Sequence, residues 1–96
     1  MLAERTVSAW PVSYGELYCE CELLTSGTDI PDAGEVIVYG LCLRSYDLRG
    51  KLLDEAEIAD ISSRRELVEG LRLALLRNAV TPLSLRDVTE DFLASL

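Results

Sequence analysis

The sequence predicts an α+β fold, in which a three-stranded antiparallel sheet is followed by two helices packed on one of its faces, in the order β-β-β-α-α. Apolar residues recur with a period of two up to about residue 61 and with a helical period afterwards. The charge changes at the same point. Residues 1–61 hold 12 acids and 4 bases, a net charge of −8, whereas residues 62–96 hold five of each. The length of 96 residues suits one modest core, so we expect a single domain over residues 1–96.

The first strand is predicted from Tyr14 to Leu24, where apolar and polar residues alternate. Its inward positions should face the helices: Leu17, Cys19, Cys21 and Leu23. We expect both cysteines to be buried, reduced thiols, because two residues apart on one strand is a poor geometry for a disulfide. The stretch Thr25–Gly34 is rich in turn-forming residues and is predicted to be a loop.

The second strand, Glu35–Asp47, is apolar on both faces and is predicted to be central in the sheet. Asp47–Gly50 should form a tight turn. The third strand, Lys51–Ile61, alternates imperfectly, and a β-bulge would reconcile its pattern. Residues 1–12 either add a short edge strand, which would make the sheet four-stranded, or lie loose, or fold across the outer face of the sheet.

Two helices are predicted in the C-terminal third of the chain. Ser63 and Glu66 fit a capping box at the start of the first helix, and Asn78 suits a left-handed stop at its end. The first helix carries an apolar stripe made of Leu67, Val68, Leu71, Ala74 and Leu75. Thr81 before Pro82 signals a second start, with Ser84 as a competing cap. The second helix has its stripe at Leu85, Val88 and Phe92, which should place it in the core.

Several short motifs resemble a family of small bacterial proteins, a domain of unknown function. The motifs are Tyr39-Gly40-Leu41, Asp60-Ile61-Ser62, Asn78 with Thr81-Pro82-Leu83, and the helical stretch from Leu85 to Leu93. The closing helix is similar to that family's "SPxHLxDVxEDFL" pattern. Here Thr81 stands for the usual serine and Ser84 for the usual histidine, so a role of that histidine does not carry over. The resemblance implies no activity.

The composition excludes several classes of function. The chain has no histidine, and it carries no nucleophile, phosphate-loop or dinucleotide motif, so we expect no enzyme, no catalytic residue and no cofactor. Three cysteines without histidine do not make a zinc site, and no metal is expected. A net charge of −8 argues against nucleic acid as a partner. No stretch approaches a membrane span, and an odd cysteine count without a secretory signal indicates the cytoplasm.

Two functional hypotheses remain open. The first is a small intracellular protein-interaction or regulatory domain, forming a homodimer or binding another protein. Strands this long exceed what two helices cover, and the outer face would expose an apolar stripe, with the interface at Tyr18, Val36, Val38 and Cys42. The second is a small carboxylate-based metal- or metabolite-binding protein or enzyme. Its carboxylates would come from the outward positions of the first and third strands: Glu16, Glu20, Glu22, Glu55 and Glu57.

Overall fold

The sheet and both helices are present in the predicted order, together with one additional strand. The computed structural model describes residues 2–12, 15–30 and 34–96, and the side chains of residues 17–27 and 34–96. The strands are β1 (Leu2–Val12), β2 (Gly15–Ile30), β3 (Gly34–Tyr46) and β4 (Leu52–Ser62), which lie side by side in sequence order. All neighbours are antiparallel. β1 hydrogen-bonds beside β2 as an edge strand, so its backbone does not cross the outer face.

The core lies between one face of the sheet and the helices α1 (Arg65–Arg77) and α2 (Leu85–Ala94). The predicted alternation of β2 is confirmed, because Cys19, Cys21 and Leu23 are buried in this core. Their partners across the β2–β3 ladder are Ser45, Leu43 and Leu41, and both leucines are fully buried as well. From the helices the core receives Val68, Leu71, Leu75, Leu76 and Leu85.

A bulge in β4 resolves the imperfect alternation of that strand. Tyr39 pairs with Ser62 while Leu41 pairs with Ile58, so β4 holds two more residues than β3 between these pairs. The shift brings Ile61, and not the charged Asp60, against the core. It also presses the β4 backbone onto Gly40, where an added Cβ would lie 2.1 Å from the Ile58 carbonyl oxygen. Only glycine fits this position without a shift of the backbone.

The helix ends differ from the sequence-based expectations in three details. The Ser63 capping box does not form; α1 begins at Arg65, and the Ser62 hydroxyl accepts the Arg64 N–H at 3.0 Å instead. The left-handed residue after α1 is Ala79, with φ of 53°, and not Asn78. The chain turn is then closed by the Val80 N–H, which donates to the Leu75 carbonyl at 3.0 Å in a Schellman arrangement. Asn78 instead donates its side-chain N–H to the Ala74 carbonyl.

Thr81 and Ser84 both occupy N-cap positions in the second helical segment, but neither side chain makes the predicted capping hydrogen bond. Pro82–Ser84 forms a 3₁₀ turn with Thr81 at its N-cap position, and α2 follows directly from Ser84. Leu85 is the anchor of this segment at 1% exposure, whereas Val88 and Phe92 are half-buried against the core. The C-terminal helix is therefore part of the core, as its stripe predicts.

The predicted loop at Thr25–Gly34 is largely strand. β2 continues to Ile30, and β3 begins at Gly34, with Ile30 opposite Gly34. The serine, glycine and aspartate in this stretch suggested a turn, but the threonines and Ile30 are β-branched and fit an extended ladder with the valines of β3. The predicted turn at Asp47–Gly50 is confirmed. Gly50 takes φ of +82°, and the Asp47 carboxylate accepts the backbone N–H groups of Arg49 and Lys51 at 2.9 Å.

Candidate functional site

The cysteine pair on β2 is a structural element of the core. Cys19 and Cys21 are fully buried free thiols beneath the helices. Burial, the largest cause, raises the pKa of each thiol to about 12. Such thiols stay protonated at neutral pH. Because the thiolate is the form that acts as a nucleophile or binds a metal, neither cysteine is suited to these roles. Their prediction as buried, reduced residues is confirmed.

Arg44 is the centre of the outer face of the sheet. The register places Glu20 and Glu55 directly opposite it on β2 and β4, and Glu22 is opposite the neighbouring Cys42. The Arg44 guanidinium donates to Glu22 through Nη1 and to Glu55 through Nε, and its Nη1 lies 3.6 Å from Glu20 Oε1. One cation thus lies among three carboxylates from two flanking strands.

This network holds three of the five predicted glutamates, Glu20, Glu22 and Glu55, and each is bound to a protein partner. The Arg44 side chain is 22% exposed, and those of Glu20 and Glu22 are 10% and 8% exposed. The hydrogen bond to Glu55, followed by that to Glu22, raises the pKa of Arg44 although burial opposes it. Tyr46 donates its hydroxyl to Glu20 at 3.1 Å. Among the described residues, no group of three or more acidic or cysteine side chains has the arrangement of a metal site.

The role of Arg44 was not predicted from the sequence, in which it is 22 residues from Glu22 and 11 from Glu55. The one sequence feature that could have identified it is its position on the outward side of β3, two residues after Cys42. Because the chain reverses at Asp47–Gly50, Arg44 had to face the acidic stretch of the following strand. Glu57 also lies on this face, opposite Cys42. Glu16 falls outside the residues whose side chains are described.

The four predicted interface residues are divided between buried and accessible positions. All lie on the outer face, since Tyr18, Val36 and Val38 share ladder rows with other outer-face residues. Cys42 is only 3% exposed, so its side chain cannot contribute much contact area. Burial, followed by the nearby acids and against the influence of Arg44, raises the pKa of its thiol. Tyr18 is exposed at one end of the sheet, and Val36 and Val38 are half-buried at the other.

The valine end of the sheet is a two-stranded ribbon, which we call the arm: residues 26–30 of β2 and 34–38 of β3. Within the described residues, pairing of β1 with β2 begins at Thr25 and pairing of β4 with β3 ends at Tyr39. The arm therefore extends beyond both flanking strands. Five residues of strand span about 17 Å. The molecule measures 54 × 28 × 18 Å, and its radius of gyration of 14.5 Å exceeds the about 12.5 Å typical of this length.

A groove runs along β4 on the opposite edge of the sheet from β1. It has a volume of about 400 Å³ and is lined by residues 54–58 of β4 and by residues of the 3₁₀ turn and the start of α2: Pro82, Leu83, Leu85, Arg86 and Asp87. Five consecutive strand residues alternate between the two faces of a sheet. Since all five line the groove, it follows the edge of β4 and does not lie over one face.

A comparison with known protein families matches residues 16–95, from β2 through α2. The chain belongs to the family of unknown function DUF6514. This confirms the inferred resemblance to a domain of unknown function. In this DUF6514 protein, Gly40 lies under the β4 bulge, Ile61 packs against the core and Pro82 is buried at the start of the 3₁₀ turn. No curated protein and no solved structure matches the chain. Across the described part of this DUF6514 chain, neither helix has the length and apolarity that a membrane crossing requires.

Proposed function

We propose that this DUF6514 protein is a small cytoplasmic protein-interaction domain that forms a homodimer through its arm. The observation that carries the proposal is the arm itself. A two-stranded ribbon is at best marginally stable alone in water, and this one presents Ile37 at 44% exposure beside half-buried Val36 and Val38. Exposed strand edges with apolar side chains favour pairing with another strand.

The free edge of β3 suits a second copy of the same chain. Beyond the last pair with β4, the described free residues of β3 are Gly34 to Val38, a stretch of five centred on Val36. A two-fold axis through Val36 pairs this stretch with itself in the antiparallel direction and joins two sheets into one. Glu35 then lies opposite Ile37 of the second copy, so the acidic residues of the two arms avoid direct opposition.

Stacking of the outer faces, an alternative form of dimer, is disfavoured by the centre of that face. Arg44 and its carboxylates occupy it, and two such networks in contact would have to remove the remaining water from Arg44 and Glu55, which are 22% and 47% exposed. An edge-to-edge dimer leaves the network in place. The cytoplasmic part of the proposal rests on the three free cysteine thiols.

Light scattering after size exclusion tests the proposal. At a concentration on the order of tens of micromolar, the mass should be twice that of the 10.6 kDa chain. Ile37→Glu should return it to the monomer, since a carboxylate would face Glu35 of the second copy. Ile37 is already exposed, so the fold should persist, and Leu73→Glu on the exposed side of α1 is the matched control. A wild-type monomer at that concentration would refute self-association.

A further inference from the structure

We propose that the groove along β4 binds an extended segment of another protein in which basic and apolar residues alternate. The proposal concerns a different surface from the arm and does not depend on the homodimer. β4 is the last strand of the sheet, so one of its edges has no strand beside it among the described residues. An extended segment can add to such an edge through its backbone, with its side chains supplying specificity.

The backbone of β4 shows which groups point toward the added segment. The Glu55 N–H donates to the Asp54 carboxylate at 2.9 Å, so it points away from β3. Alternate residues of a strand direct their backbone groups to the same side, so Glu57 also presents its N–H and carbonyl at the free edge. Glu57 would form the ladder with the incoming segment, and Glu55 would join it once a carbonyl of that segment replaces the Asp54 carboxylate at its N–H.

The two faces of β4 demand different side chains from that segment. On the outer face, Glu55 and Glu57 are exposed carboxylates. On the helix face, the groove is lined by Ala56, Ile58 and Leu83. Leu83 is 86% exposed, an unusual position for a leucine that adjoins a cavity. A bound strand would therefore place Lys or Arg near Glu57, since Glu55 already binds Arg44, and apolar residues toward Leu83.

The charge of the groove selects a cationic partner over a second copy of the chain. Four carboxylates and one guanidinium line it: Asp54, Glu55, Glu57, Asp87 and Arg86. Glu55 is already paired with Arg44, so the charge left for a partner is about −2. Pairing of β4 with β4 of another copy would set these acids against each other, and like charges opposite one another destabilise a sheet. The groove is thus complementary to a basic segment, and its negative charge disfavours pairing with the same groove of a second copy.

A labelled peptide of alternating Lys and Val, about six residues long, is the probe. A control peptide of the same composition has its lysines and valines in separate blocks. The protein used is Ile37→Glu, so that the arm does not contribute. We expect the alternating peptide to bind with an affinity that falls as salt rises. Amide resonances of residues 54–58 and 83–87 should shift in a ¹H–¹⁵N spectrum during the titration.

Two pairs of variants separate a built site from general attraction to an acidic protein. Glu57→Lys should weaken binding about tenfold or more, while Glu90→Lys, with the same charge change on the exposed side of α2, should have a small effect. Leu83→Ser should weaken binding in the same way, with Leu73→Ser as its control. Equal binding of the two peptides, equal loss in both charge variants, or no binding at millimolar peptide would each overturn the proposal.

Discussion

Replacement of Gly40 by alanine should destabilise the protein more than any other single methyl group added to the described part of the chain. The new Cβ would lie 2.1 Å from the Ile58 carbonyl oxygen and 2.4 Å from that of Ala59. Both contacts are with backbone, which cannot rotate away as a side chain can. The bulge of β4 would have to move off β3, and with it the inward placement of Ile61.

The magnitude follows from two opposing effects. Forcing atoms into a packed site costs about 1–3 kcal/mol, and a clash with backbone on a hydrogen-bonded ladder belongs at the upper end. The lower entropy of unfolded alanine returns about 0.5–1 kcal/mol. We expect a net loss of about 2 kcal/mol, against a total stability of about 5–14 kcal/mol for a chain of this length. Urea unfolding followed by far-ultraviolet circular dichroism measures it.

Two further glycines provide the controls. Gly70 is exposed in the middle of α1, where an added Cβ would meet only the Phe92 ring at 4.0 Å. Gly70→Ala should therefore stabilise by about 1 kcal/mol through helix propensity. Gly27→Ala meets only the flexible Glu35 side chain at 3.3 Å and should be close to neutral. A Gly40→Ala variant as stable as wild type would refute the reasoning about the bulge.

Three other changes test the helix end, the thiols and the core. Ala79→Gly should raise stability by about 0.5–1 kcal/mol in urea unfolding, because glycine adopts positive φ without strain; a loss would show that Ala79 is not left-handed. The unfolding free energy should fall as pH rises from 9 toward 12. The pKa of Cys19 and of Cys21 is near 9 in the unfolded chain and about 12 in the folded chain. Each thiol therefore lowers the free energy of unfolding by at most about 1.4 kcal/mol per pH unit in this range. Cys21→Ala should make this fall shallower, and an unchanged slope would contradict the burial of that thiol. Leu85→Ala should cost about 2–5 kcal/mol in thermal unfolding, whereas Leu93→Ala, exposed on the same helix, should cost little; equal losses would remove Leu85 from its anchoring role.

Periodicity predicted those parts of the fold in which one face of an element meets the core. The alternation around Cys19 and Cys21 allows only one face of their strand to pack against the core. The apolar stripes that contain Leu71 on α1 and Leu85 on α2 likewise allow only one face of each helix to do so, and the structure buries these faces. Composition misled where turn-forming residues lie in an extended ladder, as between Thr25 and Ile30. Local propensity there is weaker than the pairing with β3, which is a non-local interaction that a single-sequence pattern does not contain.

The candidate sites were harder to predict because they depend on register. The acidic outward positions could be identified from alternation, but the salt bridges of Arg44 require three strands in a fixed alignment. The bulge of β4 shifts that alignment at Gly40, and nothing in the spacing of β4 fixes its position. Similarly, the interface prediction placed Cys42 on the correct face, whereas its burial follows from neighbours on other strands.

A cysteine cross-link across the proposed two-fold axis distinguishes a dimer paired through the arms from a monomer. In a dimer paired edge to edge about Val36, Val36→Cys brings the two new thiols directly opposite each other, within the Cα separation a disulfide allows. The native thiols do not compete, because they are buried. Under mild oxidation we expect a covalent dimer for Val36→Cys and none for Leu48→Cys, an exposed position in the turn at the far end of β3. Equal cross-linking of both variants, or a monomer in both, would contradict it.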